Sequence, residues 1–276
     1  MKAVREFLDF IKFEHTIFAL PFAYLGMLLA AQGWPSWYQF IWITIAMVAA
    51  RTLAMGSNRI ADRWIDARNP RTAQRPLITG SISSRTAWTG TLASGFVLAL
   101  AAWMLGPLTF ILVPVAIVFL VGYSFTKRFT WMSHFVLGFT DGLAPVGAWV
   151  AILGSLFTAQ DLPAWILLGV VTSWIGGFDI IYACQDVDFD HQEGLQSIPV
   201  KFGVRNALRI STVCHIITII FLLILGVVSG LGWPYWLGLF FVSALLIWEH
   251  MLVQPDDFSK LGVAFFNING LSLIHI

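Results

Sequence analysis

Residues 37–66 read WYQFIWITIAMVAARTLAMGSNRIADRWID, an apolar stretch that runs directly into a polar one. Residues 38–57 are long enough to cross a bilayer, because a spanning helix needs about 20 mostly apolar residues. Asn58, Asp62 and Asp66 follow at intervals of four and share one stripe of a continued helix. Acidic side chains at membrane depth are costly unless they have partners. The stretch therefore predicts a membrane helix that ends in a functional site.

The same apolar pattern recurs along the whole chain. Of its 276 residues, 58% are hydrophobic and 11% are charged, whereas a soluble globular protein carries about 25% charged residues. We predict an all-α fold, a multi-pass transmembrane bundle of about nine helices around a central apolar cavity, forming one domain over residues 1–276. The predicted spans are 15–33, 38–57, 87–105, 107–124, 132–153, 164–185, 210–229, 233–250 and 261–276.

The ninth predicted span is unusually short. Its 16 residues correspond to about 24 Å of helix, against a hydrocarbon core of about 30 Å. We therefore expect the C-terminal helix to be incomplete.

The basic residues predict how the chain is oriented. All 16 Lys and Arg residues fall on one side of this topology, or in the helix ends that face it, and the opposite loops contain none. Because cytoplasmic loops carry the excess of Lys and Arg, we expect the N-terminus and the polar loops to be cytoplasmic. Membrane lipid is its expected surrounding, and a net charge of +1 gives no case for nucleic acid as a partner.

A second polar segment, DIIYACQDVDFDHQEGLQSIPVKFG (179–203), repeats the acidic pattern. Asp179, Tyr182, Asp186 and Asp190 fall within about 80° of one another on a continuous helix, and Asp188 points away. Mg²⁺ commonly binds through a few carboxylates together with substrate phosphates. We predict that the two acidic clusters face each other and hold Mg²⁺ ions, which in turn hold a diphosphate.

Nearby basic and aromatic residues complete the predicted site. Arg71, Arg75 and Lys127 supply further phosphate contacts. When the diphosphate leaves an allylic carbon, a carbocation forms, and Tyr123 and Tyr182 can shelter it by cation–π contact. The surrounding helices supply an apolar channel for a lipid tail.

Three further charged residues lie outside the two acidic clusters. Arg51 shares the stripe of Asn58 but lies one to two turns deeper in the helix, where it is available to bind an anion or to neutralise the neighbouring aspartates. Asp161 lies in a loop on the opposite side, and we expect it to be dispensable. Asp141 lies nearer the middle of a helix and has no role that the sequence assigns.

These segments resemble the motifs of the UbiA superfamily of membrane prenyltransferases. NRIADRWIDARNPRTAQRPL (58–77) resembles its NxxxDxxxD motif followed by Arg-Pro-Leu, and residues 179–203 resemble its second aspartate-rich motif. YSFTKRFT (123–130) resembles its short Tyr-xxx-Lys loop. The resemblance implies that the metal ions are bound by Asn58, Asp62, Asp66, Asp186 and Asp190. It implies that the diphosphate is bound by Arg71, Arg75 and Lys127. It also implies that the site is lined by Arg51, Tyr123, Asp179 and Tyr182.

One residue departs from the superfamily's pattern. Many members have Asp directly after the first Asn, whereas this chain has Arg59. That position lies about 100° off the stripe, so we expect little loss of metal binding.

The resemblance is greatest to bacterial members that act on 4-hydroxybenzoate in ubiquinone-type biosynthesis. It implies a protein of the bacterial cytoplasmic (inner) membrane and Mg-dependent transfer of a polyprenyl group from polyprenyl diphosphate to a small aromatic acid. We expect Arg51 to hold the carboxylate of that acid. Two alternatives stay open, namely prenylation of 1,4-dihydroxy-6-naphthoate in menaquinone biosynthesis and a transporter with polar residues in its pathway. A CDP-alcohol phosphotransferase is disfavoured, because Asp141-Gly142 is not followed by that family's Ala-Arg and Asp pair.

Overall fold

The computed structural model describes residues 2–12 and 16–253, and these are helical with no strand. This confirms the all-α prediction. The helices are α1 (Lys2–Ile11), α2 (Thr16–Ala31), α3 (Trp37–Ala61), α4 (Arg63–Arg68), α5 (Pro76–Thr79), α6 (Ser84–Leu105), α7 (Pro107–Ile111), α8 (Val113–Thr126), α9 (Ser133–Leu153), α10 (Leu162–Ala183), α11 (Val187–Gln192), α12 (Ile198–Phe202), α13 (Val204–Val228) and α14 (Trp233–Leu252). Short 3-10 turns, Ala159–Asp161 and Cys184–Asp186, precede α10 and α11.

Helical segments long and apolar enough to cross a membrane account for most of the predicted spans. There are seven of them among the described residues: Trp37–Ala61, Ser84–Leu105, Pro107–Thr126, Ser133–Leu153, Ala159–Gln192, Val204–Val228 and Trp233–Leu252. A shorter apolar helix, Leu20–Ala31, falls on the first predicted span. The ninth, 261–276, lies outside the described residues, so the count of nine stays a prediction.

Small residues allow the central helices to approach closely. A Cβ added at Gly26 on α2 would collide with the backbone of Pro145 on α9. One added at Gly138 on α9 would collide with the carbonyl group of Thr172 on α10. Trp174 of α10 is buried at the centre of an apolar cluster shared with α2, α13 and α14. This close packing fixes the end of α10, from which the second acidic motif continues.

An apolar cavity of about 230 Å³ lies between α3, α6, α8, α9 and α10. Met47, Leu98, Leu120 and Leu143 are typical of its lining. The cavity confirms the predicted architecture of a bundle around a central apolar space. It reaches Ala54 on α3 and Phe178 on α10, and these residues lie close in sequence to the first and second acidic motifs.

The N-terminal helix α1 is amphipathic, as its alternating charged and apolar residues predict. Phe10 and Ile11 are buried against Leu77 and Ile82, whereas Asp9 is exposed. Because Leu77 belongs to α5, directly after the first motif, α1 supports the segment that carries the basic residues of that motif.

Asp161 lies in a buried hydrogen-bond network, an environment that argues against the expectation that it is dispensable. Its side chain is 0% exposed. Its carboxylate accepts hydrogen bonds from Trp149 Nε1 (2.9 Å), Ser155 Oγ (2.7 Å) and the backbone N–H and hydroxyl of Thr158 (2.9 and 2.7 Å). A polar loop suggests solvated side chains, but here the loop folds around its own aspartate and fixes the entry into α10.

We expect Asp161→Ala to destabilise the protein by roughly 2–3 kcal/mol, because the buried donors lose a charged acceptor. The measurement is thermal unfolding of the purified protein in detergent, with Asp188→Ala as the matched control, since Asp188 is exposed. A melting temperature of Asp161→Ala equal to that of wild type would show that the network contributes nothing.

Candidate active site

The first acidic motif lies at a break between two helices. Asn58 is in the last turn of α3, Asp62 ends that helix with φ −91° and ψ 6°, and Asp66 lies in α4. The stripe predicted on one continuous helix is therefore interrupted at Asp62. The side-chain amide of Asn58 donates to Asp62 at 3.0 Å. Asp62 and Asp66 are both buried, so two carboxylates are held inside the protein at the end of α3.

The second acidic motif is also less regular than the continuous helix that the sequence predicts. Helix α10 ends at Ala183, and a 3-10 turn carries the chain through Asp186 into α11. Asp190 in α11 is buried and Asp188 is exposed. The predicted division between these two aspartates therefore holds, although the helix between Tyr182 and Asp190 is broken.

Arg71 joins the two motifs. Its guanidinium donates to both oxygens of Asp186, at 3.1 and 2.6 Å, and to the hydroxyl of Tyr182 at 2.7 Å. Its central carbon also lies 5.2 Å from the centre of the Tyr182 ring. A second link comes from Asn69, whose side-chain amide lies 3.4 Å from Asp186 Oδ1. These contacts place the two motifs face to face.

An exposed pair ties the same loops together further out. Arg68 Nε donates to Glu193 at 2.8 Å, and this hydrogen bond lowers the pKa of the Glu193 carboxyl. Sequence reasoning missed both Glu193 and Asn69. The only available signal was that they belong to the two polar loops.

Other cations balance the first motif. Arg75 forms an ion pair with Asp66. Arg128 donates to Asp62 at 3.1 Å and to the carbonyl oxygen of Ala61 at 2.7 Å. Burial raises the pKa of the Asp62 carboxyl, and the charges of Lys127 and Arg128 oppose that increase.

Lys127 lies between the two motifs. It is within electrostatic range of both Asp62 and Asp190. Its carbonyl oxygen accepts a hydrogen bond from Gln196 N at 2.7 Å, which ties the loop after α8 to the second motif. The three segments quoted from the sequence therefore meet on one side of the bundle.

The carboxylates of the two motifs suit a divalent cation that is also bound by the phosphates of a substrate. Among the described residues, no three His, Cys, Asp or Glu side chains enclose a position for a metal ion. Mg²⁺ does not need such a cage, because it commonly binds through one or two carboxylates and completes its shell with waters and substrate phosphates. Buried carboxylates that face each other, each balanced by a long arginine or lysine side chain, fit that mode of binding.

Asp179 has a well-defined partner. The backbone N–H of Ile198 donates to Nε2 of His134 at 3.3 Å, so the ring carries its proton on Nδ1 and donates it to Asp179 at 2.7 Å. Asp179 thus links α10 to α9 and to the segment after the second motif. Another predicted lining residue, Tyr123, is half-buried beside α3, with its hydroxyl 3.5 Å from the carbonyl oxygen of Ala54.

Arg51 lies in the cavity and not against the acidic motifs. Its Nη1 is 3.7 Å from Oδ1 of Asp141 on α9. Both residues line the apolar cavity. Sequence reasoning left Asp141 without a role. A lone carboxylate in an apolar helix was a signal, but its partner lies 90 residues earlier in the chain.

Arg59 is also closer to the site than its position off the stripe suggested. Its side chain is buried, and no described residue forms a hydrogen bond with Nη1. It lies within electrostatic range of Arg75, Asp66, Tyr123 and Tyr182. The guanidinium therefore adds positive charge to the first motif, at a position where many superfamily members have a carboxylate.

Comparison with known proteins agrees with this site. A model of the UbiA prenyltransferase family matches residues 19–271. The 4-hydroxybenzoate octaprenyltransferase of Pseudoalteromonas translucida is 32% identical over 88% of this chain and 82% of its own length. That of Vibrio campbellii is 29% identical over 90% of this chain and 86% of its own length.

Solved structures share the fold. The apo structure of a UbiA homolog from Aeropyrum pernix K1 has a TM-score of 0.85 and 32% identity, covering 95% of each chain. A UbiA homolog from Archaeoglobus fulgidus, bound to DMAPP and Mg²⁺, has a TM-score of 0.73 and 19% identity, covering 98% of this chain and 97% of that one. With its apolar helices and its paired acidic motifs, this chain is an integral, multi-pass membrane protein that belongs to the UbiA prenyltransferase family.

Proposed function

We propose that this protein transfers a polyprenyl group from polyprenyl diphosphate to a ring carbon of 4-hydroxybenzoate, in the biosynthesis of a ubiquinone-type respiratory quinone. One observation carries the proposal. Two buried carboxylate motifs, joined by Arg71, face each other where an apolar cavity approaches them. A charged site beside an apolar cavity matches the diphosphate group and the prenyl chain of a polyprenyl diphosphate. The relatives named 4-hydroxybenzoate octaprenyltransferase support this acceptor.

In this proposal Mg²⁺ is held by Asn58, Asp62, Asp66, Asp186 and Asp190. When bound, the ion neutralises the leaving diphosphate and so assists the break of the allylic C–O bond. The complex of the Archaeoglobus homolog with DMAPP and Mg²⁺ supports this choice of ion.

The basic residues bind the diphosphate itself. In the structure Arg75 pairs with Asp66, and Arg71 pairs with Asp186. Once those aspartates are neutralised by cations, both guanidinium groups are available for phosphate oxygens, to which Arg binds through two parallel hydrogen bonds. Lys127, between the two motifs, supplies a point charge to the same anion.

The cavity then receives the reacting carbon and the acceptor. An allylic cation needs surroundings free of water, and the apolar lining supplies them. The hydroxyl of Tyr182 accepts a hydrogen bond from Arg71, and Tyr123 lies within electrostatic range of Arg51, so we propose that both rings lie between the diphosphate and the cavity. We assign them to stabilise the cation through their ring faces.

The site faces the cytoplasm in this proposal, in a bacterial inner membrane. The loops after α3, α8 and α10 touch one another through Arg128–Asp62 and Gln196–Lys127, so their basic residues lie on one side. Excess Lys and Arg on one side is typical of cytoplasmic loops. A transporter is disfavoured, because its binding groups would lie near the middle of the bilayer, whereas these carboxylates lie at the ends of spanning helices.

The acceptor is tested by a competition assay. Purified protein in lipid vesicles, supplied with polyprenyl diphosphate and Mg²⁺, is offered equal amounts of 4-hydroxybenzoate and 1,4-dihydroxy-6-naphthoate. We expect the prenylated benzoate to exceed the prenylated naphthoate by at least about tenfold, the ratio that about 1.4 kcal/mol of discrimination produces. A larger yield of the naphthoate would overturn the acceptor and keep the enzyme class.

A further inference from the structure

The two charged residues that line the cavity form an ion pair without a direct hydrogen bond between them. Among the described residues that line the cavity, only Arg51 and Asp141 are charged. The 3.7 Å between Arg51 Nη1 and Asp141 Oδ1 is an ion-pair distance but too long for a hydrogen bond. Arg51 Nε is buried and finds no hydrogen-bond partner in the described part of the chain. The pair therefore retains unused donors and acceptors that point into an apolar space.

Stability does not account for such a pair. Removing two charges from water is expensive, and well-packed apolar residues in place of a buried ion pair are often neutral or stabilising. Ionisable residues within membrane segments commonly mark a functional site. Because Arg51 and Asp141 face the cavity in which the acceptor is proposed to lie, their function is to be sought in acceptor binding.

We propose that Asp141 and Arg51 together bind the phenolic hydroxyl of the acceptor, with Asp141 accepting its proton and Arg51 donating to its oxygen. This inference rests on the proposed function and assigns a role to Asp141. A hydroxyl suits the pair because it is both a donor and an acceptor. A carboxylate bound to Arg51 would instead lie beside the carboxylate of Asp141, and the two negative charges would repel each other. The expectation from the sequence that Arg51 holds the acceptor's carboxylate is replaced accordingly.

The bonds and protons balance over the whole reaction. The allylic C–O bond breaks and the diphosphate leaves with the electron pair. The ring carbon beside the hydroxyl attacks the allylic cation while the hydroxyl proton passes to Asp141, which gives a cyclohexadienone. Loss of the proton from the attacked carbon, with return of a proton to the oxygen, restores the aromatic ring. The net products are the prenylated phenol, diphosphate and one proton.

The surroundings of Asp141 leave it free for this role. The charged and titratable groups within its electrostatic range are Arg51 on α3, Asp179 on α10 and Tyr123 on α8. One oxygen of Asp179 accepts the proton of His134, and Asp179 is not among the residues that line the cavity. Asp141 is therefore the carboxylate in the cavity that an incoming hydroxyl meets, with Arg51 as its neighbouring cation.

The test compares wild type with Asp141→Asn, which keeps the size and removes the base. We expect kcat with 4-hydroxybenzoate to fall at least about 100-fold, the lower range for a positioned general base. Mg-dependent binding of prenyl diphosphate and the melting temperature should stay within experimental error of wild type. Asp188→Asn, an exposed change outside the cavity, serves as the control and should retain wild-type turnover.

A rescue experiment separates proton acceptance from a structural role. 3-Fluoro-4-hydroxybenzoate has a more acidic hydroxyl and needs less help from a base. We expect Asp141→Asn to prefer it over 4-hydroxybenzoate at least about tenfold more strongly than wild type does, because the Brønsted dependence steepens when the base is removed. An unchanged preference, or undiminished turnover of the variant, would overturn the inference and leave the proposed function standing.

A measurement on wild type alone covers the case in which Asp141→Asn does not fold. 4-Fluorobenzoate resembles 4-hydroxybenzoate in size but cannot donate a proton. A site built to hydrogen-bond a hydroxyl rejects the analogue that lacks it, so we expect its inhibition constant to exceed the Michaelis constant for the hydroxyl-bearing acceptor at least about tenfold. Comparable affinity would overturn the inference. If wild type prenylated none of these acids, the proposed function would fail and the inference with it.

Discussion

Asp66→Asn and Asp190→Asn are each expected to reduce prenyl transfer at least about 1000-fold. This corresponds to about 4 kcal/mol of lost transition-state stabilisation, a reasonable share for a carboxylate that holds a catalytic metal ion. Both side chains are buried, one in each motif. Asparagine keeps their size and removes the charge, so the change tests the carboxylate and not the packing. Turnover is measured in lipid vesicles as prenylated acceptor formed per protein.

Asp188→Asn is the matched control, because Asp188 lies in the same short helix as Asp190 but is exposed. We expect it to retain nearly full turnover. Thermal unfolding of each variant is needed as well, since Asp66→Asn also leaves Arg75 without its ionic partner. If Asp188→Asn were as damaging as Asp190→Asn while both remained folded, the assignment of the second motif would be wrong.

Removal of Mg²⁺ is expected to have the other large effect. In excess EDTA, transfer should fall below detection and return when Mg²⁺ is restored, because the diphosphate would leave without charge neutralisation. Binding gives an independent readout. A ligand that binds only the folded state raises the melting temperature, so prenyl diphosphate should stabilise the protein with Mg²⁺ and much less in EDTA. Diphosphate release that continued unchanged in EDTA would contradict the metal-assisted mechanism.

The helical layout could be read from the sequence because it depends on local composition. Apolar stretches of about 20 residues identify spans without any knowledge of tertiary contacts. The predicted placement of all 16 basic residues on one side of the membrane supported the predicted number of spans as well. Local composition did not reveal that the helices are interrupted at Asp62 and at Cys184–Asp186. The shared face of the acidic residues was predicted for an unbroken helix.

The acidic segments of the candidate site could be located from the sequence, but the partners of their side chains could not. The acidic residues follow a spacing visible in the sequence, whereas their cations come from distant segments. Arg71 and Asp186 are separated by 115 residues, and Arg128 and Asp62 by 66. Such pairs depend on how the helices pack, which periodicity does not encode. The same reason explains why the partner of Asp141 was not evident until α9 was placed against α3.

Buried polar networks were the least predictable feature. Asp161 lies in a segment that reads as a solvated loop, yet it accepts the indole N–H of Trp149 from the preceding helix. Arg59 reads as a residue facing away from the stripe, yet it is buried beside the first motif. In both cases the orientation of the side chain depends on tertiary packing. Residue type and sequence position therefore predicted the wrong environment for it.

The stoichiometry of transfer tests the central claim most directly. Wild-type protein in vesicles is given polyprenyl diphosphate, 4-hydroxybenzoate and Mg²⁺, and released diphosphate and ring-prenylated product are quantified in the same reaction. The account predicts that both form in equal amounts and that neither forms with Asp66→Asn. Diphosphate release without a prenylated ring, or no reaction at all by folded wild-type protein, would contradict it.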